Sequence, residues 1–306
     1  MDYSQFLLMT PEVTLALALI VLLVADLVMG NDKSKQYFQT LALVVFGIHT
    51  IYNFFIQGEI SGQQEAFSGM YLTSNIHVFV KNMLNVGTLL VLIFSIEWNK
   101  KENSNHIAEF YLLMMSTLFG MYLMVSSGDF LLFYIGLETA SIPMATLVAL
   151  NKKRNESAEA AAKYILTAGF SSAVMLFGIS LIYGSCGGSL YFCDVVKSFT
   201  AAPVQIMAMI FFMAGVAFKI SLVPFHLWTA DTYQGAPTSV TAYLSVMSKG
   251  AAAFAFMIVM WKAFTVSNVA ETVWHNILWW IIVITITVGN IFAIRQKNLK
   301  RFLAFS

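Results

Sequence analysis

The chain has 306 residues, of which 58% are apolar and only 11% charged, with a mean hydropathy of +0.74 and a formal net charge of +1. A water-soluble domain needs about 25% charged residues to wet its surface, so this composition belongs in a bilayer. The near-zero net charge gives no field that would attract nucleic acid. Two cysteines, Cys186 and Cys193, cannot build an iron–sulfur or metal set, and the Gly184–Gly188 stretch lacks the spacing of a nucleotide-binding loop.

The N-terminus, Met1-Asp2-Tyr3-Ser4-Gln5, has no basic residue, and the apolar run Val13–Met29 is long enough to span. Both features predict a retained first helix rather than a cleaved signal peptide. Apolar runs of the roughly 20 residues that a crossing requires lie at 13–29, 40–57, 77–97, 107–126, 129–150, 158–183, 205–228, 237–263 and 276–294. With the first residue outside, alternate loops gather Lys33, Lys35, Lys100, Lys101, Lys152, Lys153, Arg154, Arg295, Lys297, Lys300 and Arg301 on the inner face. Only Lys197 and Lys262 fall outside, as the positive-inside rule requires. After the basic loop Asn298–Arg301, the segment Phe302–Ser306 reads as the start of a further helix of a longer protein.

Four lysines remain within apolar segments. Lys81 and Lys163 are about one turn from helix ends and are expected to snorkel to the headgroups. Lys219, Lys249 and Glu138 are deeper. Lys249 is twelve residues past Pro237, and Glu138 lies nine after Asp129 and fourteen before Lys152. A charge at the bilayer centre costs ~2.5–3.5 kcal/mol even on lenient insertion scales. Three on separate helices therefore imply an interior polar pathway, although a lysine–glutamate pair that merely joins helices is the blander reading.

Glu138 and Lys219 are each followed five residues later by a proline, Pro143 and Pro224. Proline frees the carbonyl four residues before it, here Thr139 and Ile220, so both helices are expected to loosen beside the charge. Proline is common in membrane helices, but that does not explain why the spacing recurs. On the eighth run, Thr241, Ser245 and Lys249 recur at i, i+4 and i+8 and share one helical face, either a packing face or a water-lined track. His226 follows the Pro224 break, as a proton relay between Lys219 and Lys249 or as a satisfied interior histidine. His49, His77, His106 and His275 read as interfacial. Cys186 and Cys193 share one outer loop and are open to a local disulfide. Closing a Lys219–Glu138 pair would load a proton and opening it would eject one, because a nearby carboxylate favours the ammonium and burial disfavours it.

The stretch Phe218-Lys219-Ile220-Ser221-Leu222-Val223-Pro224-Phe225-His226-Leu227-Trp228, then Asp231, Tyr233-Gln234-Gly235-Ala236-Pro237-Thr238 and Ser248-Lys249, resembles the core signature of the antiporter-like subunits of complex I. So does Gly136-Leu137-Glu138 with Pro143. Thr10-Pro11-Glu12, Glu109-Phe110-Tyr111 and Ser157–Tyr164 are similar to the N-type members rather than the L- and M-types, and Asn298–Ser306 also fits. The resemblance runs along the whole chain. It implies an all-α, polytopic transmembrane bundle with inverted five-helix repeats and a discontinuous seventh helix. Residues 1–103 would be three N-terminal helices, 104–265 the first repeat and 266–306 the start of a second, incomplete one.

The same resemblance implies that Glu138, Lys219 and Lys249 are the proton relay, with Lys163 and His226 as secondary members. The family's exit-side lysine, on a twelfth helix, lies beyond these residues. As implied, the chain binds no cofactor and carries no redox centre; NADH, FMN, iron–sulfur clusters and quinone are handled in or near other subunits. Its partners would be the neighbouring M-type subunit, small membrane subunits, the lipid bilayer and the quinone pool. It would sit in a bacterial inner membrane with its N-terminus periplasmic. A cation/proton antiporter subunit shares the glutamate and lysine signature and is the nearest rival. A solute transporter would need a polar pocket beyond that axis, and a passive scaffold would tolerate neutral residues at all three charges.

Overall fold

The computed structural model describes residues 3–29, 35–55, 62–265 and 268–306. A 3₁₀ turn, Tyr3–Met9, leads into α1 (Thr10–Met29), followed by α2 (Lys35–Phe55). A short antiparallel hairpin, β1 (Gln64–Ala66) and β2 (Tyr71–Thr73), pairs Gln64 with Thr73 and Ala66 with Tyr71. Then come α3 (Asn75–Phe94), α4 (Ile96–Glu102), α5 (Ile107–Val125), α6 (Phe130–Val148), α7 (Asn155–Ser185) and α8 (Phe192–Ser198). The rest is α9 (Pro203–Ile220), α10 (Leu227–Gly235), α11 (Thr238–Tyr243), a π segment (Leu244–Ser248), α12 (Lys249–Phe264), α13 (Asn268–Ile294) and α14 (Leu299–Phe305).

Among the described residues nine helices are long and apolar enough to cross a membrane, with α11, the π segment and α12 counting as one. They match the nine apolar runs in number and order, and seven of them to within about four residues; the first span begins eight residues earlier, at Gln5, and the seventh ends eight residues earlier, at Ile220, where the helix breaks. The protein is a polytopic helical membrane bundle. Side chains such as Leu17, Ile20, Phe79, Phe170, Trp261 and Ile286 point outward, which suits hydrocarbon rather than water.

Helix α5 is buried on nearly every side, as expected of a helix apolar all round. It packs against α1, α2, α3, α6 and α12 and so joins the N-terminal helices to the rest. Its crossing with α6 is set by two glycines. A Cβ at Gly120 would strike the Ala140 nitrogen, and one at Gly136 would meet the Met124 nitrogen at 2.5 Å. Bare backbones let the two helices approach closely, the small-residue device of membrane helix packing.

On the side where the N-terminus lies, loops are knitted by backbone bonds. Leu72 donates to Ser126 (2.9 Å), Gly128 to Met70 (2.7 Å), Phe130 to Leu190 (3.1 Å) and Phe192 to Gly128 (3.1 Å). Asp129 caps α6 by accepting from the Leu132 N–H at 2.8 Å. Burial lifts its carboxyl above the usual range, opposed by that N–H.

Several expectations are corrected. Pro143 lies inside a continuous α6, so the fifth span does not break there; only the Pro224 helix does. Lys81 does not snorkel, for it is buried against Glu12. His49 and His77 are likewise buried rather than interfacial, while His106 sits half-exposed beside Glu109. Cys186 and Cys193 are both free, the first buried and the second exposed. The π segment puts an extra residue per turn between Thr241 and Lys249, so they do not form one continuous i, i+4, i+8 stripe. Thr241 Oγ1 instead donates to the Tyr233 carbonyl, and Ser245 Oγ to that of Ala242.

Candidate functional site

Lys219 is the penultimate residue of α9, and its side chain is 2% exposed. The helix ends there in a Schellman motif: Ser221 is left-handed (φ 67°), its N–H donates to Phe218 O (3.0 Å), and the Leu222 N–H reaches Ala217 O (2.8 Å). A serine in this conformation carries local strain that glycine would not. The indole Nε1–H of Trp228 donates to the same Phe218 carbonyl at 3.1 Å. At the break the Ala217 and Phe218 carbonyls are thus bonded from within the protein, as membrane depth demands.

The Lys219 ammonium donates to Ser141 Oγ at 2.8 Å and to the Tyr164 hydroxyl at 3.2 Å, and lies 5.9 Å from the Tyr164 ring centre. Ser141 is three residues after Glu138 on α6, one turn along the same side. Glu138 itself is half-buried, and among the described residues no ion pair joins it to Lys219. The lysine is held by neutral hydroxyls, with the carboxylate one turn away.

Lys163 precedes Tyr164 on α7 but points elsewhere. Its Nζ bonds Glu159 Oε1 and Asp231 Oδ2, both at 2.7 Å, and its side chain is 45% exposed. Asp231 Oδ1 in turn meets the Arg301 guanidinium at 2.8 Å, which also reaches Gln234 Oε1 at 3.0 Å. Glu156, Glu159, Lys163, Asp231 and Arg301 line a cavity of about 90 Å³, room for a few waters.

Lys249, first residue of α12, faces the Tyr233 ring with its Nζ 5.1 Å from the centroid. Among the described residues the Tyr233 hydroxyl and the neighbouring Ser248 hydroxyl are buried without a hydrogen-bond partner, as are those of Thr232 and Ser239. Buried hydroxyls of this kind are where internal water binds. His226 is buried and stacked on Phe292, with ring centroids 5.8 Å apart, and edged by Phe305 at 6.2 Å. Among the described residues neither of its nitrogens has a partner within hydrogen-bond geometry.

One short helix serves all three lysines. From α10, Trp228 packs on Tyr164 beside Lys219 (5.1 Å), Asp231 pairs with Lys163, and Tyr233 underlies Lys249. Its last residue, Gly235, lies so close to α7 that a Cβ would strike the Glu156 carbonyl and approach Ala160 Cβ to 2.5 Å.

A family described as the transmembrane region of NADH:quinone oxidoreductases and Mrp antiporters matches residues 127–306, the part of the chain that carries Glu138, Lys163, Lys219 and Lys249. The chain belongs to this family. It is 48% identical over 307 residues to the NADH-quinone oxidoreductase subunit N of Azobacteroides pseudotrichonymphae, over all of this chain and 62% of that protein. The chain thus spans under two thirds of that relative. Its fold matches a chain of respiratory complex I from Thermus thermophilus with bound aureothin, with TM-score 0.77 and 27% identity over 96% of this chain and 61% of that one. A chain of the Mrp complex from Dietzia sp. DQ12-45-1b shares the fold alone, with TM-score 0.78 and 19% identity over all of this chain and 57% of its own.

In this oxidoreductase/antiporter family member, the actual partners of the lysines are residues that sequence reading left without roles. Ser141 and Tyr164 had a signal, since one is three residues from Glu138 and the other adjacent to Lys163. Asp231 lies within the family signature, and Arg301 in the basic loop, but nothing in the sequence pairs them across seventy residues.

Proposed function

We propose that this chain is the larger part of a proton-translocating membrane subunit of an NADH:quinone oxidoreductase. Electron transfer in other subunits would drive protons through the buried relay here, so the chain acts as a non-redox translocase component. The observation that carries this reading is Lys219: an ammonium sealed from lipid at a helix break, bonded to Ser141 and Tyr164 rather than fixed in an ion pair. A permanently paired lysine could not give up its proton readily. One held by two neutral acceptors, with Glu138 one turn from Ser141, can exchange partners.

In this mechanism, approach of Glu138 favours the charged ammonium and loads Lys219, and withdrawal releases a proton toward α10 and α12. The unpartnered hydroxyls of Thr232, Tyr233, Ser239 and Ser248 mark a hydrated way to Lys249. Lys163, with Asp231, holds charge at the cavity mouth. His226 would act only after leaving its stack on Phe292. Residues 1–103 serve as an N-terminal three-helix unit, 104–265 as one repeat, and 266–306 as the opening of a second. Partners are a neighbouring M-type subunit, small membrane subunits and the lipid and quinone of a bacterial inner membrane, with the N-terminus periplasmic. The family also takes in antiporters; the 48% identity to a subunit N favours the oxidoreductase.

The test is proton ejection by membrane vesicles carrying the full-length protein in its assembled complex. Lys219→Ala should abolish ejection and Lys219→Arg, which keeps a charge that does not exchange, should fail as well. Wild-type ejection by an assembled Lys219→Ala complex would overturn the reading.

A further inference from the structure

Away from the lysine axis, a cavity of about 280 Å³ opens between the start of α3 and the end of α12, on the side where the N-terminus lies. Its apolar lining includes Ile76, Phe254, Met257 and Trp261, and all of these but Phe254 are more than half exposed. Exposed apolar side chains on a membrane bundle face hydrocarbon, so the cavity opens toward lipid. A tryptophan close to the end of a crossing helix also marks the level at which head groups begin.

The rest of the lining is polar and comes in two steps. Lys262, half-buried and two residues before the end of α12, donates from Nζ to Gln63 Oε1 at 2.9 Å. The Gln63 amide in turn donates to Glu65 Oε1 at 3.4 Å, and among the described residues no carboxylate makes an ion pair with Lys262. The second step is His77, the third residue of α3, which is 4% exposed and packs edge-on against Phe254 with ring centroids 6.2 Å apart. Phe254 precedes Lys262 by eight residues on α12, about 12 Å along the axis, so His77 is the deeper of the two. Its Nδ1 lies 2.6 Å from Ser74 Oγ. With the serine hydroxyl donating there, the neutral ring carries its proton on Nε2. That Nε2 is buried and has no partner among the described residues, and a buried N–H without an acceptor is costly. The N-terminus of α3 adds the positive end of its dipole at the same place.

From the membrane surface inward, the cavity offers a cation, one N–H donor and an apolar wall. A free anion would use only the first. A phosphoglyceride uses all three, because its phosphate, ester carbonyl and acyl chain follow one another in that order. We propose that the cavity holds one anionic phospholipid of the surrounding bilayer. Its phosphate sits at Lys262, an ester carbonyl accepts from His77 Nε2–H, and a chain runs against Phe254 and Met257 and out over Ile76. An anionic head is favoured over a zwitterionic one, whose own ammonium competes with Lys262 for the phosphate. The inference needs only that the chain crosses a membrane and does not rest on the proton-translocating reading.

The test uses the full-length protein in its assembled complex, in vesicles of phosphatidylcholine with a minor share of phosphatidylglycerol. Photoreactive benzoylphenylalanine replaces Trp261 or, as a reference for bulk lipid, Ile20, which also points outward. After irradiation, peptide–lipid adducts are counted by mass spectrometry. The ratio of phosphatidylglycerol to phosphatidylcholine adducts should be about tenfold higher at Trp261 than at Ile20, the discrimination expected of one charge-assisted hydrogen bond. Lys262→Gln should remove that excess. His77→Phe deletes the donor to an ester that both lipids carry, so it should lower both yields at Trp261 and leave their ratio unchanged. Equal ratios at the two positions, an excess that survives Lys262→Gln, or a cross-link to a neighbouring protein in place of lipid would overturn the inference. So would an excess abolished by added inorganic phosphate, which would mark a site for a free anion. Both probe positions face outward, and their comparison requires neither variant, so it decides the question even where Lys262→Gln or His77→Phe fails to assemble.

Discussion

Breaking the Glu12–Lys81 pair should destabilise the protein far more than removing it whole. Both side chains are 2% exposed and 2.5 Å apart. At an effective dielectric near 20 that separation corresponds to a gross attraction of about 7 kcal/mol, most of which offsets the cost of taking two charges out of water. Lys81→Met leaves the Glu12 carboxylate buried with only the Tyr71 hydroxyl for company, and Glu12→Leu strands the ammonium. Each should cost about 3–5 kcal/mol. The double variant Glu12→Leu/Lys81→Met keeps the volume and strands no charge. Its main loss is at Tyr71, whose hydroxyl falls back on the Leu8 carbonyl at 3.4 Å, so it should cost only about 1–3 kcal/mol. The two single losses should therefore exceed the double by about 3 kcal/mol or more. Reversible unfolding in mixed micelles, followed by tryptophan fluorescence, measures all three. Single variants within about 1 kcal/mol of wild type would mean that the pair is solvated, and strictly additive losses would mean that the two groups do not interact.

Three further outcomes are expected. Gly235→Ala should force α10 off α7, costing about 1–3 kcal/mol in the same titration. Asp231→Asn removes one charged partner from each of Lys163 and Arg301, leaving Glu159 and Gln234 to hold them, and these groups are partly exposed; the loss should stay near ~1 kcal/mol per pair and shrink at high salt, which unfolding at two ionic strengths would show. In maleimide labelling Cys193 should react and buried Cys186 only after unfolding. Partial burial and the Asp194 carboxylate push the Cys193 thiol above its ordinary range, so its thiolate is scarce at neutral pH and its labelling should rise as pH climbs through that raised value.

The nine crossings were legible because lipid imposes a length and an apolarity that a residue string records directly. The break after Lys219 was legible too, through Pro224. Pro143 carried the same signal but no break, since one missing bond inside α6 does not end a helix whose neighbours hold it in place. The π segment before Lys249 leaves no mark in the hydropathy of Leu244–Ser248. Reading each lysine against its own helix end also misled for Lys81. A comparison between helices would have found its partner: α1 and α3 start on the same side of the membrane, so Glu12 and Lys81, each within two turns of a start, lie at similar depth. Ser141 and Tyr164 escaped because hydroxyls are too common in membrane helices to stand out.

The nine residues of α10 have a mechanical corollary. Trp228, Asp231 and Tyr233 are fixed to one rigid rod of about two and a half turns, tethered by the irregular stretch before Leu227 and by the bend at Pro237. Tilting that rod alters contacts at Lys163, Lys219 and Lys249 together. If protons cycle through these lysines as proposed, backbone stiffness alone would keep the three steps in time, without a signal having to pass from one to the next.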